Sequence, residues 1–82
     1  MHFLELRADD VYGVLGRLMD RIRVSGLLLV MVEASRDQDG YAVTVGVGTE
    51  DTGAMERLAN TMRSVAGATL VRVGRARERS TG

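Results

Sequence analysis

The chain has 82 residues, 45% of them hydrophobic and 27% charged, with eleven arginines against eleven acids, no lysine, no cysteine and a single histidine. This excludes disulfides, thiolate metal sites and cysteine nucleophiles, and the balanced charge gives no global attraction to nucleic acid or to an acidic membrane. The length bounds the fold to one domain, near the size at which a core only just outweighs chain entropy, so burial in an oligomer is expected to help.

In chain order, His2 to Arg7 reads as a first strand, with Leu4 and Leu6 alternating against Phe3, Glu5 and Arg7. His2 is read as a solvated or strand-end residue, too isolated to found a metal or base site. A glycine-bearing corner follows. Asp9 or Asp10 can accept from the free N–H groups of a helix beginning near Asp10, and Gly13 would leave backbone amides open to a small ligand. Val14, Leu15, Leu18, Met19 and Ile22 recur at the helical period, and Gly26 ends the helix as a left-handed cap.

Leu27 to Ser35 is a continuous apolar run whose length and β-branched content favour a strand. Alternation sets Leu28, Val30, Val32 and Ala34 on one face and Leu27, Leu29 and Met31 on the other, so the second trio is expected to face a partner. After the polar turn Asp37-Gln38-Asp39-Gly40, Tyr41 to Gly48 returns with Tyr41, Val43, Val45 and Val47 opposite the small Ala42, Thr44, Gly46 and Gly48. A second helix begins near Thr52, with Glu50, Asp51 and Glu56 suited to its positive end. It buries Met55, Leu58, Ala59, Met62, Val65 and Ala66, and Gly67 stops it. Ala68 to Val73 is the last strand. The domain is set at 1–75, and 76–82 is expected to be a flexible tail.

The order strand, helix, strand, strand, helix, strand with short connections predicts an α+β ferredoxin-like βαββαβ sandwich, a four-stranded antiparallel sheet with both helices on one face. At this point the chain resembles the ACT domain, and more narrowly the short, single-domain regulatory subunit of acetolactate (acetohydroxyacid) synthase. The resemblance runs from about Phe3 to Val73 and is carried by DVYGVLGRLMDRIRVSG, which is similar to that subunit's turn-and-helix opening. Gly13 is its best-matched position. Tyr12 stands where the family usually has proline, and Leu27 and Leu28 replace its aromatic-Asn pair.

The resemblance implies a non-catalytic homodimer that binds the synthase's catalytic subunit, raises its activity and confers feedback by valine. It implies a valine site between two protomers formed by Asp9, Asp10, Val11, Gly13, Val14 and Leu15 with Gly26, Leu27 and Leu28. No cofactor, metal or catalytic residue is expected in this chain. A free-standing amino-acid-sensing ACT homodimer that regulates another enzyme is the competing expectation.

An RNA-binding sheet of this topology would need stacking aromatics, and of the outward positions Phe3, Glu5, Thr44 and Gly46 only Phe3 supplies one. The opening MHFLELRADD has acids where a secretory signal needs an apolar run, and no segment approaches the ~18 apolar residues of a membrane span, so a cytoplasmic location is expected.

Overall fold

A computed structural model describes residues 1–75. Six elements follow one another: β1 (His2–Ala8), α1 (Val11–Val24), β2 (Leu29–Asp37), β3 (Gly40–Val47), α2 (Thr52–Arg63) and β4 (Ala68–Arg75). The four strands form one antiparallel sheet in the order β2-β3-β1-β4. This is the ferredoxin-like α+β sandwich. The expected tail, 76–82, lies outside the described residues.

Period-two and period-3.6 patterns meet in one core. His2, Leu4, Leu6 and Ala8 of β1 and Val43, Val45 and Val47 of β3 are buried on the same sheet face. Against them pack Val11, Val14, Leu18 and Ile22 of α1 and Met55, Leu58, Ala59 and Met62 of α2. The other sheet face carries Phe3, Glu5, Arg7, Met31, Glu33, Thr44, Gly46 and Arg72, and neither α1 nor α2 covers it.

Caps set the helix ends. Asp10 precedes α1 in extended conformation, and its carboxylate accepts from the Tyr12 N–H. At the other end Gly26 takes φ +73°, while the Leu27 N–H donates to the Ile22 carbonyl and the Gly26 N–H to that of Arg23, a Schellman closure. Asp51 caps α2 by accepting from the Ala54 N–H at 3.2 Å. The helix ends at Arg63 with Ser64 as its cap. Gly67, expected to stop it, instead serves the following turn at φ +85°, and Ala66, expected in the core, is exposed beyond the helix. Met19 is likewise exposed, at 40%, one step off the buried stripe of α1.

The main correction concerns β2. Its register shifts between Leu29, opposite Val47, and Met31, opposite Gly46, so Val30 is an extra bulged residue. The bulge breaks strict alternation: Leu29 and Val32 both pack against the core, and Leu27 joins them. Of the trio expected to face outward, only Met31 lies on the open sheet face, beside Gly46 and Phe3. The exposed apolar side chains of this region are Val24 (58%), Leu28 (66%) and Val30 (50%). A second bulge between Glu5 and Leu6 on the β1–β4 ladder leaves Val71 outside the pairing and exposed at the opposite edge.

Candidate functional site

The β1–α1 corner is built by chain geometry. Ala8 is the last buried residue of β1, the Asp9 N–H donates to the Gly67 carbonyl at 2.9 Å, and Asp10 then starts the helix. That hydrogen bond ties this corner to the α2–β4 turn. Val11 and Val14 direct their side chains into the core and Leu15 packs at its margin, so of the residues matched to a ligand site they offer backbone rather than side-chain contacts. Tyr12, in contrast, is 85% exposed.

Gly13 occupies the third position of α1, and its role is more specific than an open amide. A Cβ placed there would meet Asp10 Oδ2 at 2.9 Å, so the missing side chain makes room for the capping carboxylate. Asp10 itself therefore sits where an incoming carboxylate would profit from the helix N-terminus. A ligand anion can use this corner only by displacing it.

Gly26, Leu27 and Leu28 lie at the other end of α1. The helix between them has fourteen residues in all, and Gly13 and Gly26 stand about 20 Å apart along it at 1.5 Å per residue. One chain does not bring Asp9, Asp10 and Gly13 together with Gly26–Leu28.

Several charges on the open face are paired, Glu33 being without a partner among the described residues. Arg7 reaches from β1 past the small Ala42 of β3 to Asp37 at the end of β2, with contacts of 2.6 and 2.8 Å to its two oxygens. That hydrogen bond, supported by the Asp39 N–H, holds the Asp37 carboxyl at about 2, below the usual carboxylate range, and raises the Arg7 guanidinium in turn. Arg72 pairs with Glu5 at 3.3 Å. At the far end of the sheet Glu50 receives the N-terminal ammonium at 2.7 Å and Arg75 at 2.8 Å, and the ammonium's hydrogen bond, more than the Arg75 charge, lowers its pKa.

Two grooves accompany this arrangement. One of about 460 Å³ on the open face is lined by Phe3, Glu5, Thr44, Arg72, Gly74 and Arg75. A second cleft, of about 450 Å³, runs between α2 and the end of β4 and reaches His2. Neither includes a residue of the Asp9–Leu15 corner. Sequence reading missed the second cleft because it left His2 open to solvent, although the alternation of Leu4 and Leu6, extended one step back, puts His2 on the buried face.

Among the described residues no group of three or more His, Asp or Glu side chains converges as a metal would require, and no helix is long and apolar enough to cross a membrane. The site and fold thus define a small ferredoxin-like domain whose β2 edge is unpaired among the described residues and is flanked at its start by the exposed Val24, Leu28 and Val30. No protein-family model matches the chain, and no curated protein matches it at a significant level.

Proposed function

We propose that the chain is a non-catalytic regulatory subunit of acetolactate synthase, a homodimer that binds the catalytic subunit, raises its activity and mediates feedback by valine. The observation that carries most weight is the free β2 edge, flanked by the exposed Val24, Leu28 and Val30, in a fold of the ACT type. A domain of this size gains from covering such an edge.

Two-fold pairing of β2 with a second copy would also suit the proposed ligand residues. Antiparallel pairing brings the start of one β2 beside the end of the other, where β1 and β3 meet at Ala8 and Tyr41. In such a dimer the Gly26–Leu28 segment of one protomer would lie toward the Asp9–Gly13 corner of its partner, across β3. Valine would enter between them, its carboxylate replacing that of Asp10 at the α1 N-terminus, and its preference for one dimer geometry would shift the catalytic subunit by linkage, typically ~1–3 kcal/mol.

The test mixes this chain with the acetolactate synthase catalytic subunit of its own organism. Co-elution in size-exclusion chromatography and a rise in acetolactate formation, or a new valine sensitivity, are the expected results, with no activity from the chain alone. Absence of both co-elution and rate change overturns the assignment and leaves a free-standing sensor of another enzyme as the better reading.

A further inference from the structure

The sheet face that neither α1 nor α2 covers is ordered in rows that cross all four strands, each starting on the edge strand β2 and ending on the edge strand β4. Register sets Met31, Gly46, Phe3 and Gly74 side by side in the first row. Glu33, Thr44, Glu5 and Arg72 form the second, and Ser35, Ala42, Arg7 and Thr69 the third.

These rows are complementary to themselves. A two-fold axis parallel to the strands, above the middle of the sheet between β3 and β1, exchanges β2 with β4 and β3 with β1. In the first row it sets the half-buried Met31 of one copy over Gly74 of the other. Gly74 is a hollow: nothing stands within 4 Å of where its Cβ would lie, and with Phe3 and Arg72 it lines the groove of about 460 Å³. A methionine entering there brings its thioether beside an aromatic ring. Phe3 itself leans over Gly46, toward the axis, where a Cβ would meet its Cε1 at 3.2 Å, so the two Phe3 rings meet at the centre. The second row sets Glu33, which has no ion-pair partner among the described residues, over Arg72, which is 70% exposed and holds Glu5 at 3.3 Å. In the third, Arg7 lies over the small Ala42. None of the three rows opposes two charges of one sign.

We propose that the open sheet face packs against the same face of a second copy about this axis, with Met31 of each copy seated in the Gly74 groove of the other and Glu33 paired with Arg72. Four strands about 4.8 Å apart and about 24 Å long present roughly 450 Å² per copy, which makes the contact a weak, reversible one. It uses neither the β2 edge nor the β1–α1 corner and stands apart from the role argued above.

The test traps the contact covalently. The chain has no cysteine, so Ser35→Cys and Thr69→Cys, at exposed positions of the third row, each carry a single thiol in the full-length protein. The two are mixed and treated with a short bis-maleimide that spans the ~10 Å between packed sheets, and mass spectrometry reads the mixed adduct. Its yield is expected to exceed severalfold that of Ser35→Cys mixed with Arg17→Cys, whose exposed thiol lies on α1, behind the sheet. Pairing through the β2 edges leaves β4 on the far side of each copy and gives no such adduct. Glu33→Arg in both proteins should lower the yield to that of the control, and adding Arg72→Glu to both should restore it. A yield no higher than the control, one that Glu33→Arg leaves unchanged, or one that the charge-swapped pair does not recover would overturn the proposal.

Discussion

Val30→Glu and Leu29→Glu, adjacent substitutions of similar chemistry, are expected to fail in different ways. Val30 is the bulged residue, half-exposed at the β2 edge, and Leu28 beside it is about two-thirds exposed. Full burial of such a side chain is worth about 1.5–3 kcal/mol, so each retains roughly 1–2 kcal/mol that only a partner can recover. Two protomers contribute four of these side chains, roughly 4–8 kcal/mol in all, a substantial offset to an association cost of about 4–15 kcal/mol. Val30→Glu removes about half of that, so the dissociation constant should rise roughly 30- to 1,000-fold with the unfolding midpoint of the monomer little changed. Leu29 packs against the core. Leu29→Glu loses roughly 1–2 kcal/mol of burial and forces a carboxylate toward apolar neighbours, for a total of about 2–4 kcal/mol out of a stability of order 4–12 kcal/mol for 82 residues. Sedimentation equilibrium across micromolar concentrations, paired with urea unfolding of the same samples, separates the two effects. A Val30→Glu dimer as tight as wild type, or a Leu29→Glu protein that stays fully folded while dissociating, would refute the placement of these residues and the dimer argument built on it.

Gly40→Ala should destabilise the β2–β3 hairpin by at least about 1–3 kcal/mol in urea denaturation, since φ is +130° there and a Cβ would stand 2.8 Å from the Ala8 carbonyl oxygen. Asp37 titrates at about 2, lower than in the unfolded chain, so the unfolded state binds more protons between that value and the ordinary carboxylate range. Its contribution is present above about pH 4 and is lost as pH falls toward 2. Asp37→Asn should flatten that stretch of the stability–pH curve, and added salt should shrink the difference. Gly13→Ala sets a helix-propensity gain of ~1 kcal/mol against displacement of the Asp10 cap, also worth ~1 kcal/mol, so its midpoint should fall within about 1 kcal/mol of wild type. Asp10→Ala, which loses the cap with nothing in return, should be less stable by about 1 kcal/mol in the same assay.

The elements were legible wherever one interaction dominated. Leu4 and Leu6 gave β1, the stripe of Val14, Leu18 and Ile22 gave α1, and Asp10, Asp51 and Gly26 marked helix ends, because caps and burial are local properties of residue type. The faces of β2 were not legible. Leu27 to Val32 is apolar at every position, so the sequence holds no alternation from which the extra residue at Val30 could be seen, and the bulge exchanged the sides assigned to Leu28 and Leu29. At the corner, the value of Gly13 was readable but its reason was not: room for Asp10's own carboxylate depends on a backbone path that only the folded turn specifies. His2 shows the opposite case. Its burial follows from the β1 pattern, but one histidine beside the starting methionine invites dismissal until Thr49 is found against its ring.

The sheet order also governs when this protein can fold. β1 lies inside the sheet, and one of its two neighbours is β4, which follows it by about sixty residues and is the last of this sheet's four strands to be synthesised. Ala8 meets Ala68 and His2 meets Arg75, contacts that span most of the chain and close its longest loop. The two helices and the β2–β3 hairpin can flicker into being during synthesis, yet Leu4 and Leu6 keep an open flank until Ala68 to Arg75 has emerged. Non-local closure of this kind slows folding relative to a helical protein of equal length. Emergence of β4, rather than formation of any helix, is the event that permits the native sheet, and a polypeptide cut short ahead of Ala68 leaves the outer flank of β1 unpaired.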